Sequence, residues 1–304
     1  MTERAERSVL STPGSNPAMI AKALATDADL VMIDLEDAVA PDAKPGARAV
    51  VASALREGDW RGRPRTFRMN GLDTPWFVRD LLEVIEGAEG AVDLIVMPKV
   101  SRAEDVHTVS TILASLEIAL GSTEPIGLDT QIENAAGLVH CEAIALASSR
   151  VEALVFGPGD FAASIGMPHS AIGTLDHWDA DYPGHRWDYA LQRILVTARA
   201  TGRRAIDGPY ADFRDLDGFR ISCLTARALG YDGKWCIHPA QVPVANEVFT
   251  PNEREVAWAR EVLAANDEAE RAGRGSFALK GQMIDAASIR MARATLLRAQ
   301  RTGI

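Results

Sequence analysis

Short apolar runs and amphipathic stretches take turns along this chain. "RSVLSTPG" (7–14) predicts a strand closed by a Pro-Gly turn, and "NPAMIAKALAT" (16–26) predicts a helix. The same pairing recurs as strand 29–37 with helix 44–57, strand 65–71 with helix 75–87, and strand 92–100 with helix 102–121. It continues as strand 126–134 with helix 137–148, and strand 151–161 with helix 187–202 after a polar and aromatic insert at 166–186. Strand 204–210 with helix 218–230, and strand 233–239 with a helix at about 253–272, complete eight units. The strands are apolar nearly throughout, as parallel strands buried on both faces require. Strict alternation over this length predicts an α/β fold, a (β/α)8 TIM barrel. A doubly wound open sheet is the competing architecture, but no GxGxxG follows the first strand. The segment 271–300 adds a Gly-rich linker, a short apolar hairpin and a further helix, which a barrel does not need. The expected division is a barrel over 1–250 and a C-terminal helix and lid over 251–304.

The stretch "LVMIDLEDAVAPD" (30–42) sends a buried strand into Asp34, Glu36 and Asp37. Unpartnered buried carboxylates cost several kcal/mol each, so either they point into water or positive charge sits among them. Arg68, from the next strand, is the expected partner of Glu36 or Asp37. Polar residues gather at the same end of the other strands: Ser11 to Gly14, Asn70, Pro98 and Lys99, Gln131 and Glu133, Asp160, Asp207 and His238. In a TIM barrel those ends form one mouth, where converging carboxylates favour magnesium or manganese. His238, before a proline, reads as a hydrogen-bonded structural residue more readily than as a general base. His177 and His185 read as part of a solvated loop.

Composition narrows the partners. A formal net charge of -10 over 304 residues argues against nucleic acid. Cys141, Cys223 and Cys236 lack metal or disulfide spacing and read as reduced thiols. No apolar run reaches membrane-spanning length, which makes a cytoplasmic location the expectation.

The strand-end segments resemble one family. "PGSNP" (13–17), "DLEDAVAPD" (34–42), "RMNGLDTPW" (68–76), "MPKV" (97–100), "QIENAAGL" (131–138), "FGPGDFAAS" (156–164), "GKWCIHPAQ" (233–241) and "MIDAASIRMA" (283–292) together resemble the citrate lyase beta subunit and HpcH/HpaI aldolase superfamily. Within it, the malyl-CoA and β-methylmalyl-CoA lyases are most similar. The resemblance implies a magnesium-dependent lyase that cleaves a 3-hydroxyacyl-CoA to acetyl- or propionyl-CoA and glyoxylate. It implies Glu133 and Asp160 as metal carboxylates, and Arg68 as the grip on the 2-oxo acid. Glu36 and Asp37 become the acidic pair that orients that arginine. Asp285 becomes an acid/base delivered by a neighbouring subunit's lid, in a homotrimer or homohexamer. Lys22, Lys99 and the helix N-terminus near Ser15 and Asn16 are expected to hold the CoA phosphates, and Pro13 and Gly14 are further expected substrate-binding residues. The chain departs from its relatives at Ser11, Thr12 and Ala18, in the region expected to hold the adenine and phosphates. The alternatives are a malyl-CoA thioesterase and a citryl-thioester lyase beta subunit. By spacing alone, Asp285 reads as a helix N-cap.

Overall fold

Eight parallel strands close on themselves in sequence order. The computed structural model describes residues 4–168, 171–182, 186–273 and 275–303. The barrel strands are β1 Ser8–Pro13, β2 Leu30–Asp34, β3 Thr66–Arg68, β4 Leu94–Met97, β5 Gly127–Ile132, β6 Val151–Phe156, β7 Arg204–Asp207 and β8 Gly233–Cys236. β1 pairs with both β2 and β8, which shuts the ring. Intervening helices are α1 Pro17–Leu24, α2 Lys44–Glu57, α3 Phe77–Gly87, α4 Ala103–Leu120, α5 Ala135–Val139, α6 Cys141–Leu146, α7 Pro158–Ile165, α8 Trp178–Asp181, α9 Asp188–Ala200, α10 Leu216–Leu229 and α11 Gln241–Phe249. The expected TIM barrel is the observed fold.

Alternation along each strand decides what fills the barrel. Val9, Leu30, Met32, Leu94, Val96, Ala153, Val155, Ile206 and Trp235 pack into one buried cluster. The steps Leu30–Met32, Leu94–Val96 and Ala153–Val155 are each two residues, the period at which strand side chains return to one face. Carrying that parity onward points Asp34 of β2 inward at the C-terminal end. At the other end, Arg204 lies 2.6 Å from Glu6, 2.8 Å from Glu152 and 3.9 Å from Asp129, a buried ionic floor of the kind that serves stability.

The helices begin where the sequence places caps. Asn16 accepts from the Met19 N–H at 3.1 Å with Pro17 in the first turn of α1. Asn134 accepts from Gly137 N–H at 2.7 Å at the head of α5.

Three expectations are corrected. The strands are shorter than their apolar runs, so Glu36, Asp37, Asn70, Lys99, Glu133 and His238 lie in loops after strands rather than on them. Asp160 is not on strand six at all: it sits in the first turn of α7, because Pro158 is suited to a helix start and cannot donate to a ladder. The helix expected at 137–148 is two, α5 and α6, meeting at His140. Helices α8 and α11 were not anticipated.

Glu6–Asn246 is one compact unit, and the chain from Glu247 onward, with the residues before Glu6, is the other. The second unit holds α12 Glu253–Arg271, an antiparallel hairpin of β9 Phe277–Leu279 and β10 Gln282–Ile284, and α13 Ala286–Arg301. Ala259 and Val262 of α12 bury against Ile284 and Ala292, with Trp258, Phe277 and Ile289 packed around them. α12 opens with a capping box of Asn252 and Glu255. No helix among the described residues is long and apolar enough to cross a membrane.

Candidate active site

Strand pairing sets Asp34 directly beside Arg68. The guanidinium forks onto the carboxylate, with Nε 2.7 Å from Oδ1 and Nη2 2.6 Å from Oδ2. Its remaining arm reaches Glu36 at 2.8 Å. Asp34 also accepts from the backbone N–H of Glu36 at 2.8 Å and of Ala38 at 3.1 Å, which folds the acidic loop back over the strand. Burial pushes the Asp34 carboxyl up, but Arg68 and those N–H groups outweigh it and hold it below the usual carboxylate range. Burial works against the Arg68 charge too, and Asp34, Glu36 and Glu133 overcome it.

Arg68 was expected against Glu36 or Asp37. It pairs with Glu36, but Asp37 is mostly exposed, and its ion pair, at 3.7 Å, is with Lys99. Asp34, the first of the three crowded carboxylates, is the main anchor of the arginine. Its parity with Leu30 and Met32 was the available signal. Below this loop Lys44 donates to the carbonyls of Leu35 (2.8 Å) and Glu36 (2.6 Å) and to Asn70 Oδ1 (2.6 Å). Asn70 in turn donates to Asp80, which pairs with Arg48 at 2.8 Å. This chain of buried bonds fixes the loop that carries Glu36 and the loop that follows Arg68.

The β5–β6 side is built differently. Glu133, 1 % exposed, accepts from the Lys99 backbone N–H at 2.6 Å and from the Gln131 side-chain amide, both neutral donors. A Cβ on Gly157 would collide with the Glu133 side chain, so glycine there keeps room for the carboxylate. Burial first, then the carboxylates of Glu36 and Asp160, push the Glu133 carboxyl up to about 8, against the pull of Arg68. Glu36 is also raised, by burial more than Arg68 and Lys99 lower it.

A cavity of about 400 Å³ opens over these groups, lined by Pro13, Asp37, Arg68, Glu133, Asp160 and Ile172 among others. A groove of about 960 Å³ continues from it along α4 and α5, sharing Glu133 and Asp160 and adding Lys99. Arg68, Glu36, Asp37, Lys99, Glu133, Asp160 and Pro13 are thus brought together. Gly14 is packed beneath, its N–H on the Asp34 carbonyl at 2.7 Å. Lys22 is exposed in the last turn of α1 and lines neither space.

His238 stacks on Phe213 at 4.9 Å and accepts from the Ala240 N–H at 3.2 Å, outside both spaces. His177 packs against Trp178 in a tilted arrangement, ring centroids 4.8 Å apart, and His185 lies outside the described residues. The three cysteines are free and buried, and burial raises each thiol. In the C-terminal unit Asp285 is exposed and caps α13, its Oδ1 accepting from Ala287 N–H (2.9 Å) and Ser288 N–H (3.0 Å).

No three His, Cys, Asp or Glu side chains among the described residues form a metal cage. Glu133 and Asp160 instead face one cavity, so a divalent cation there would take two protein carboxylates and complete its shell with water or ligand oxygens. The donor set fits such an ion: all oxygen, with Glu133 bonded only to neutral donors and a glycine leaving space beside it.

Comparison with known proteins points to one family. The L-malyl-CoA/beta-methylmalyl-CoA lyase of Cereibacter sphaeroides is 42% identical over 303 residues, 98% of this chain and 95% of the relative. The (3S)-malyl-CoA thioesterase of the same species is 37% identical over 294 residues, 97% of this chain and 94% of that one. The crystal structure of CitE from Mycobacterium tuberculosis, in complex with magnesium, acetoacetate and coenzyme A, superposes with a TM-score of 0.77 at 31% identity, covering 98% of this chain and 100% of the other. The HpcH/HpaI aldolase/citrate lyase profile matches residues 7–239, and the chain belongs to that family.

Proposed function

We propose that the protein is a magnesium-dependent CoA-ester lyase. It reversibly cleaves a 3-hydroxyacyl-CoA, malyl-CoA or β-methylmalyl-CoA, to acetyl- or propionyl-CoA and glyoxylate. The observation that carries this is one cavity lined by a buried, forked arginine and by the carboxylates Glu133 and Asp160. The 42% identity to a lyase of that substrate class favours it over the thioesterase at 37%.

Glu133 and Asp160 would hold the magnesium; manganese is the alternative ion. When bound, the ion supplies Lewis-acid polarisation of the oxo acid's carboxylate and carbonyl oxygens. Arg68, held rigid by Asp34 and Glu36, presents fixed positive charge to the oxygen that becomes the glyoxylate carbonyl. In the cleavage direction a base takes the hydroxyl proton, the C–C bond breaks, and its electron pair moves onto the thioester carbonyl. A proton then returns to the α-carbon. Asp285 of a second copy is our candidate for that proton traffic. All its cap bonds use Oδ1, so Oδ2 takes no part in the cap, and those bonds keep the carboxyl below its usual range and therefore ionised. This reading requires a homo-oligomer, a trimer or a hexamer, with residues 251–304 acting as the lid that excludes water.

Incubation with malyl-CoA and magnesium tests the activity: glyoxylate and acetyl-CoA are expected, whereas free malate and CoA would establish the thioesterase instead. Sedimentation tests the lid. A fully active monomer would rule out delivery of Asp285 from a second copy.

A further inference from the structure

Lys99, in the loop after β4, differs from the rest of the mouth in its backbone. Its φ is 53°, the left-handed region that L side chains rarely adopt. Two sets of contacts depend on that turn of the chain. The backbone N–H reaches Glu133 Oε1 at 2.6 Å. The side chain runs the other way: Nζ lies 2.6 Å from Glu36, 3.7 Å from Asp37 and 4.0 Å from Asp160. One strained residue therefore touches both sides of the mouth, and its ammonium shares Glu36 with Arg68 while also reaching Asp37 and Asp160. The side chain remains 33% exposed on a flexible four-carbon stem, so it has a path into water.

We propose that Lys99 is a positioning residue that serves as built-in counter-ion to Glu36, Asp37 and Asp160 in the metal-free protein, and that its ammonium swings out as a divalent cation is taken up. This rests on the reading of Glu133 and Asp160 as metal carboxylates. Two positive charges cannot share the same few ångströms cheaply, so the ammonium and the ion compete. Lys99 keeps the acidic mouth from repelling itself while no ion is bound, and in doing so weakens magnesium binding. Its N–H, which survives any side-chain change except proline, holds Glu133 in both states.

The test is calorimetric titration of the metal-free protein with magnesium chloride, alongside melting temperatures with and without the ion. Lys99→Met and Lys99→Gly are expected to bind magnesium roughly tenfold tighter, the order expected for removing one nearby charge in a half-solvated site. Both should melt lower than wild type without magnesium and gain more from its addition. Glycine suits the left-handed backbone, so Lys99→Gly covers the case in which the methionine variant does not fold. Lys99→Arg, which keeps the charge, should bind magnesium like wild type. Equal or weaker binding by both neutral variants overturns the inference while leaving the metal reading intact. If wild type and Glu133→Gln alike take up no magnesium, the metal reading itself falls and this inference with it.

Discussion

Asp34 and Glu133 occupy similar places on opposite sides of one mouth: each is 1% exposed, Asp34 as the last residue of β2 and Glu133 as the first residue after β5. Their chemistry diverges. Asp34 has a forked arginine and two backbone N–H donors, and its carboxyl is held below the ordinary range. Glu133 has only neutral donors, and its carboxyl is pushed up to about 8. Burial is equal, so burial does not decide; the charge of the partner does. The β2–β3 side is electrostatically closed and serves as a rigid frame. The β5–β6 side still calls for positive charge, which is where a metal-dependent enzyme should be incomplete without its ion.

Exchanging charge on the two sides should break different properties. The largest effect is expected from Glu133→Gln or Asp160→Asn: lyase activity falls below detection while the melting temperature without magnesium stays within a few degrees of wild type. Turnover that persists in either variant, or in the wild type with EDTA, sinks the assignment of that side. Next comes Arg68. Arg68→Met strands Asp34 as an unpaired buried charge and should cost about 3–5 kcal/mol of stability along with all activity. Arg68→Lys keeps the charge but not the fork, so kcat should drop on the order of 10²–10³-fold with a milder loss of stability. If Arg68→Met unfolds in urea like wild type, the frame is not where the structure puts it.

A smaller effect is expected in acid. The Asp34 carboxyl is lowered in the folded state, so its contribution is present above the unfolded value of 3.8 and is lost as pH falls through the lower folded value. Asp34→Asn should therefore be less stable than wild type at pH 6, with the gap narrowing below pH 3.8. A gap that stays constant across that window would show that the ion pair is not its source. The smallest effect is expected at His238, which stacks on Phe213 away from both sides. His238→Gln should leave kcat within about threefold, as suits a residue outside the chemistry; loss of the acidic limb of the pH–rate profile would instead make it the general base.

Much of this was legible before folding. Apolar runs alternating with amphipathic ones specify strand–helix units, and the Asn and Pro-Gly signals mark where helices begin. The clustering of polar residues after each strand located the mouth. Three features were not legible. Asp160 looked like a strand residue because "VEALVFGPGDF" stays apolar past Phe156, but the helix start at Pro158 turns it into the cavity. Asp37 looked equivalent to Glu36, yet only Glu36 reaches Arg68, because the loop is pinned by Asp34 and Lys44. Lys99 looked like a phosphate ligand, whereas a left-handed backbone aims it at carboxylates.

By itself, then, the order of residues determined the strand–helix rhythm, the inward parity of each strand and the end at which the chemistry collects. These are local properties, set by side-chain period and capping over a few residues. Which cation meets which carboxylate was decided only in three dimensions, by strand register and by how each loop folds back. Ion pairing falls off over a few ångströms, and distances of that size between segments far apart in the chain exist only once the barrel has closed.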